Sequence, residues 1–218
     1  MNLLHSLANN QNKDSLSSKM RRKRFSFFLS LLNDIPRPLK ILDIGGTPGF
    51  WESMNFFEDG ISITLLNLTS QPVSVQGITS VVGDATSLTA FANQSFDIVF
   101  SNSVIEHLYD FESQKKMASE VRRVGKRYFI QTPNYWFPIE PHWVFPLFQF
   151  LPFSIKVLLT QHCSLGHIKK IPDKKIAGEQ VKEVRLLTLK EMKQLFPNGA
   201  IYKEKIGGLN KSFVAYQF

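Results

Sequence analysis

Lys40-Ile41-Leu42-Asp43-Ile44-Gly45-Gly46-Thr47-Pro48-Gly49-Phe50-Trp51 is the stretch on which the fold turns. Residues 40–44 are short and mostly apolar, as a buried strand requires. A turn with Gly45, Gly46 and Gly49 follows, and residues 50–57 read as a helix. Strand, glycine turn and helix, in that order, let a doubly wound α/β sheet bring its backbone up to a nucleotide-like ligand. Glycine serves there because it tolerates positive φ and has no Cβ to stand in the way. Asp43 then falls at the carboxyl end of the first strand, the edge where such sheets bind ligands.

Upstream, residues 14–33 read as a helix. Leu16, Met20, Phe27 or Phe28, Leu31 and Leu32 recur near helical spacing, and Asp14 or Ser15 is placed to cap it. Residues 1–13 are mostly polar and read as frayed. Downstream, strands are expected over 61–66, 78–82, 95–101 and 127–131, and a helix is expected to follow Glu106 and His107 as far as Val124. Thr188 and Glu191 form a capping-box pattern for a helix ending near Phe196. Strands over 200–206 and 212–218, joined at Gly207 and Gly208, close the chain.

The D-x-G-x-x-x-G spacing of Asp43, Gly45 and Gly49 resembles the first motif of class I S-adenosylmethionine-dependent methyltransferases, with Thr47 in place of the usual middle glycine. Residues 95–108, S-F-D-I-V-F-S-N-S-V-I-E-H-L, resemble a second stretch common in the small-molecule members of that family, the "methyltransferase domain 11" type. The resemblance implies a Rossmann-like seven-stranded sheet with its last strand antiparallel, and S-adenosylmethionine as cofactor. It implies that Asp43, Gly45, Gly46, Thr47 and Gly49 hold the methionine end. Asn67, where the family commonly has an acid, would take the ribose. Asp84 would accept the adenine amine, Ala85 would line the ring, and Asn102 and Ser103 would line the reacting side. Asn67 and Asp84 also suit a turn and a helix cap respectively. No N/D-P-P-Y/F motif follows the fourth strand, which argues against methylation of a DNA amino group.

After the fifth strand the chain departs from a minimal domain. Residues 135–161 carry Tyr135, Trp136, Phe137, Trp143, Phe145, Phe148, Phe150 and Phe153, together with Pro138, Pro141, Pro146 and Pro152. The prolines exclude a spanning helix. This is the pattern of an inserted lid, over about 133–182, on a single domain of 39–218; residues 1–38 form a basic amphipathic helical region ahead of it. The lid reads as a cover for an apolar acceptor, as a surface that meets lipid, or as plain packing. Tyr135, Trp136, Glu140 and Trp143 are the expected acceptor contacts. Glu140-Pro141-His142 places an imidazole, which titrates near neutral pH, beside a carboxylate, so His142 is the first candidate base and His107 the second. A hydrogen-bonded structural role fits both histidines as well.

Composition narrows the partners. The 218 residues are 43% hydrophobic and 20% charged, with net charge +8 and a pI near 9.6. One cysteine, Cys163, excludes an internal disulfide and points to a reducing compartment. His162 and His167 flank it without the spacing of a zinc site, so no metal is expected. Lys19, Arg21, Arg22, Lys23 and Arg24 form a basic run that serves either as a solvated helix face or as a contact for an anionic acceptor or phospholipid. The expected function is transfer of a methyl group to oxygen on a small, lipid-linked or glycan-linked apolar acceptor, by a cytoplasmic enzyme able to touch a membrane. Two alternatives stand beside it. One is an RNA or protein methyltransferase that uses the basic helix, although no aromatic–basic pattern favours nucleic acid. The other is a non-catalytic module of the same fold.

Overall fold

Alternation along the strands decides which side chain goes to which face of the sheet, since successive residues point oppositely. In strand β1 (Leu39–Ile44) Ile41 packs on one side with Ile63, Ile98 and Phe129, while Leu42 and Ile44 pack on the other with Val99, Tyr128 and Ile130. Both faces are apolar, so the sheet must be covered on both sides, the condition under which parallel strands are stable. The computed structural model describes residues 15–56 and 58–218, so the expectations for residues 1–14 and for Phe57 lie outside it.

The sheet contains β1, β2 (Ile61–Asn67), β3 (Ile78–Val82), β4 (Phe96–Asn102), β5 (Gly125–Pro133), β8 (Ala200–Ile206) and β9 (Leu209–Gln217), in the order β3-β2-β1-β4-β5-β9-β8. The first five strands pair in parallel, and β9 runs antiparallel to both β5 and β8. This is the expected doubly wound, Rossmann-like sheet of seven strands with an antiparallel last strand. The chain reverses its winding between β1 and β4, and the crevice outside their carboxyl ends is where such a sheet takes a ligand.

Helix α1 (Leu16–Ser30) and helix α2 (Pro48–Ser53) cover one face. Phe25 and Phe28 from α1, with Trp51 from α2, pack on Phe100 and Phe129. Phe28 meets both of those rings at 5.0 and 5.2 Å, and the two are stacked on each other. Ser15 caps α1 by accepting from the Ser18 amide at 3.1 Å. Leu16, expected in the core, is instead 38% exposed, because the buried stripe runs through Ser18, Arg24, Phe25 and Phe28. Helix α3 (Phe111–Val124) and helix α6 (Leu189–Leu195) cover the other face, through Met117, Val121, Met192 and Leu195. The Thr188–Glu191 capping box forms.

Between β5 and α6 lie a hairpin of β6 (Ile139–Glu140) and β7 (Phe145–Pro146), helix α4 (Phe153–His162) and helix α5 (Lys174–Glu183). Trp143, Phe148, Val157, Ala177 and Val181 give this insertion a hydrophobic cluster of its own. Residues 168–182 are lysine-rich, a composition that suggests an exposed loop, yet from Lys174 onward they are helical. Asp173 accepts from the Ile176 amide to cap α5, and Ala177 and Val181, four residues apart, turn inward against α4. Among the described residues no helix is long and apolar enough to cross a membrane.

Candidate active site

The glycine turn is braced from three directions. Gly45 has φ +73°, and a Cβ there would lie 2.4 Å from Val104 Cγ2. A Cβ on Gly46 would lie 1.9 Å from Asp43 Oδ2. Asn67, at the end of β2, donates its side-chain amide to the Gly46 carbonyl at 2.9 Å. At Gly49 a Cβ would meet nothing within 4 Å, so that side of the turn is open to a ligand. Thr47 stands at the N-cap of α2 without making a side-chain capping bond.

Asp43 points inward, not to the open side. Its Oδ2 accepts from Trp51 Nε1 at 2.8 Å, and the residue is almost fully buried. Burial disfavours the anion and lifts the carboxyl pKa to about 8, against a smaller opposing pull from the Trp51 hydrogen bond. Asp84 is exposed beyond β3, and its Oδ1 accepts from both the amide and the hydroxyl of Thr86 at 2.8 Å. Ala85 packs into the core beside Leu88.

At the end of β4, Asn102 Oδ1 accepts from Arg24 at 2.5 Å, and Arg24 also pairs with Glu204 of β8 at 3.3 Å. Ser103 sits at φ +60°, its hydroxyl donating to Gln131 Oε1 at 2.7 Å. Sequence reasoning took Arg24 only as part of a basic run and did not mark Gln131. Arg24 was findable in principle, because it lies four residues before the buried Phe28 and so on the same helix face.

Val104, which touches the glycine turn, leads into a 3-10 turn (Ile105–His107) that carries Glu106 and His107. His142 comes from the tip of the β6–β7 hairpin and meets them. The two imidazoles face each other with Nε2 atoms 3.2 Å apart. Glu140 Oε1 lies 2.6 Å from His142 Nδ1, and its Oε2 accepts from the amides of His142 and Trp143. Glu183 Oε1 of α5 lies 3.4 Å from His107 Nδ1, within ion-pair range though not aligned as a hydrogen bond. Glu106 is fully buried; Thr132 donates to its Oε2 at 3.1 Å, and its Oε1 has no hydrogen-bond partner among the described residues. Burial opposes a charge on His142, but the Glu140 hydrogen bond and charge, with Glu106 and Glu183, outweigh it and hold its pKa above the ordinary imidazole value. Burial raises the Glu106 pKa against the pull of both histidines.

A cleft of about 440 Å³ opens between insertion and body, lined by Tyr135, Glu140, Trp143, Lys156, Arg185 and Glu191 among others. The glycine turn is not part of its wall. Trp143 is buried, stacked on Phe148 at 4.4 Å and donating Nε1 to Thr160 at 3.0 Å, so it shapes the cleft from behind. Trp136 is 65% exposed and lies with Tyr135 and Phe150 in a cluster of rings 5.0 to 5.7 Å apart.

A seven-stranded 3-2-1-4-5-7-6 sheet with a glycine turn after its first strand defines the class I methyltransferase fold. Residues 42–128 match the family described as methyltransferase domain. Solved structures agree on the fold. A S-adenosylmethionine-dependent methyltransferase from Methanosarcina mazei superposes with TM-score 0.53 at 17% identity, covering 86% of this chain and 95% of that one. A 1,6-didemethyltoxoflavin-N1-methyltransferase from Burkholderia thailandensis, crystallised with its acceptor and S-adenosylhomocysteine, gives TM-score 0.55 at 13% identity over 90% and 76%. An uncharacterised protein of Mycobacterium tuberculosis (strain H37Rv) is 39% identical over 57 residues, 26% of this chain. The match spans only 20% of that relative's length.

Proposed function

We propose that the chain transfers the methyl group of S-adenosylmethionine to an oxygen of a small, lipid-linked or glycan-linked apolar acceptor. The observation that carries this reading is the meeting of His107, His142 and Glu140 beside Val104, the residue that braces the glycine turn. In this reading the paired imidazole serves the acceptor next to the cofactor. When bound, the cofactor supplies a methyl group on a sulfonium that is already a good leaving group. The chain's task is then alignment of the acceptor and removal of one proton.

The open face at Gly49, with Gly45, Gly46 and Thr47, suits the methionine end. Asp43 serves that end by holding Gly46 and Trp51 in place. Asn67 spends its amide nitrogen on Gly46, which leaves its carbonyl oxygen for a ribose hydroxyl. Asp84 can accept an adenine amine on the oxygen that Thr86 does not use, with Ala85 behind the ring. Asn102 and Ser103, held by Arg24 and Gln131, border the reacting side. Tyr135, Trp136, Glu140 and Trp143 shape the acceptor's side. His142, with Nδ1–H held by Glu140, takes the acceptor's proton on Nε2 once the acceptor displaces His107 from that nitrogen. The acceptor oxygen would then take the methyl group that the cofactor supplies, and the proton would end on the imidazole.

The insertion exposes Trp136, Leu147, Phe150, Phe153, Ile155 and Leu158, close in sequence to exposed Lys169, Lys170, Lys174 and Lys175. That combination favours an apolar or lipid-linked acceptor met at an anionic membrane surface. The burial of Arg24 removes one charge from the basic run and weakens its case as a nucleic-acid surface. Calorimetric titration with S-adenosylmethionine and S-adenosylhomocysteine tests the cofactor reading. Micromolar binding that weakens about tenfold in Asp84→Ala, ~1.4 kcal/mol, is expected. Absence of binding at millimolar cofactor would sink it. Transfer of labelled methyl to hydroxylated lipids and small aromatic alcohols then tests the acceptor class.

A further inference from the structure

The buried polar cluster around His107 and His142 leaves one carboxylate oxygen, on Glu106, without a hydrogen-bond partner among the described residues. Glu140 holds a proton on His142 Nδ1, while Glu183 Oε1 stands 3.4 Å from His107 Nδ1 without the alignment of a hydrogen bond. The two Nε2 atoms face each other across 3.2 Å, so one proton between the rings serves both. A third acceptor, Glu106 Oε1, is buried and has no hydrogen-bond partner among the described residues. One carboxylate oxygen of Glu106 and one ring nitrogen from each histidine lie within 4.8 Å of one another. A shared proton can join two of these atoms but not three, whereas a cation satisfies all of them at once.

The dimensions suit a metal. In a tetrahedral zinc site with bonds of about 2.0–2.1 Å the ligand atoms stand about 3.3 Å apart, close to the observed nitrogen separation. A bound ion would draw the carboxylate inward by about an ångström to complete the set. The Glu140 carboxylate on the far nitrogen of His142 is the outer partner that metal-bound histidines ordinarily have, and Glu183 stands within ion-pair range of the far nitrogen of His107. Two imidazoles and one carboxylate select a borderline transition ion over Mg²⁺ or Ca²⁺, and three protein ligands leave positions open. We propose that Glu106, His107 and His142 bind a divalent transition ion of the zinc class, with Glu140 and Glu183 as positioning residues that orient the two rings. Sequence spacing hides the site, because two ligands are adjacent and the third arrives from the inserted hairpin.

Resting on the methyl-transfer reading, the open positions would receive the acceptor's hydroxyl and make it more acidic. The proton then leaves to solvent while the oxygen–carbon bond forms and the carbon–sulfur bond breaks. The imidazoles act as ligands in that case, not as the base.

The full chain, stripped of metal with a chelator, is titrated with Zn²⁺ and with Co²⁺, using the Co²⁺ absorption bands to report nitrogen and oxygen ligation. One equivalent per chain at micromolar affinity or tighter is expected. Glu106→Gln, His107→Ala and His142→Ala should each abolish it, and Glu183→Gln should weaken it by roughly tenfold to a hundredfold. His162→Ala, on the exposed end of α4, should leave it unchanged. Circular dichroism of each variant guards against unfolding, and if His142→Ala loses structure the near-isosteric Glu106→Gln decides. No stoichiometric binding, or binding equally strong in Glu106→Gln and His142→Ala, overturns the proposal. Because the readout is metal binding, it stands or falls separately from methyl transfer. Metal bound without cofactor binding would retire the function and keep the site.

Discussion

Asp43 occupies the position from which an acid is expected to reach a ligand, yet its carboxyl is enclosed by Trp51 and the Gly46 backbone. Its pKa is raised from the ordinary 3.8 to about 8, so the folded chain holds this proton more tightly than the unfolded chain does. The stabilisation from that proton is fully present below about pH 4 and is lost as pH rises through about 8. Urea denaturation of the cofactor-free protein between those limits should show this decline, and Asp43→Asn should flatten it. A decline of equal slope in the variant would mean that another group carries it. Gly45 makes a second prediction at this scale. With φ +73° and Val104 against the missing Cβ, Gly45→Ala should cost about 1–3 kcal/mol of stability and weaken cofactor binding. An unchanged denaturation midpoint would contradict the close contact. The glycines were legible in the sequence because backbone geometry restricts the residue type. The inward turn of Asp43 was not, because nothing in the local spacing says that Trp51 supplies a donor.

At the scale of elements, α1 is tied to the far side of the sheet by one buried cation. Arg24 pairs with Glu204 and donates to Asn102, while Ser212 donates to the second Glu204 oxygen. Removing the guanidinium strands a buried carboxylate. Arg24→Ala should therefore destabilise the chain by about 3–5 kcal/mol, and Arg24→Met with Glu204→Leu should recover much of that loss. Equilibrium denaturation of the two variants checks both statements. Equal losses in the two would argue that packing, not charge, is at stake. The strands of the main sheet were readable to within a residue or two from short apolar runs, except that β9 begins three residues earlier than expected, since burial on both faces leaves little choice of residue. Helix α5 escaped because its lysines dominate the composition, although the Asp173 cap and the Ala177–Val181 pair were there to be counted. The partnership of Arg24 with Glu204, and of His107 with His142, depends on which strands become neighbours. Such pairings follow from the assembled sheet and the inserted hairpin, not from local pattern.

For the whole molecule, charge and apolar exposure combine on the insertion. With net charge +8 and exposed rings and leucines beside surface lysines, the chain should sediment with anionic vesicles and much less with neutral ones. Binding should weaken as salt rises, because screening shortens the reach of the lysines, and Phe153→Ser with Leu158→Ser should reduce it at any salt. Equal partition to neutral and anionic vesicles would exclude the electrostatic part. The class of the fold was legible because two motifs sit in order at the switch point of one sheet. The acceptor was not, because the insertion that shapes the cleft follows no pattern shared with the motifs.

That insertion keeps its own hydrophobic cluster, apart from the two that sandwich the sheet. A protein divided in this way need not breathe as one body. Amide hydrogens of α4 and α5 should exchange with solvent through openings that leave β1, β4 and β5 fully protected. Since His142 belongs to the part that opens and His107 to the part that stays shut, each such opening would separate the two imidazoles and then restore them. The site would be rebuilt at every cycle by a segment able to fold back by itself.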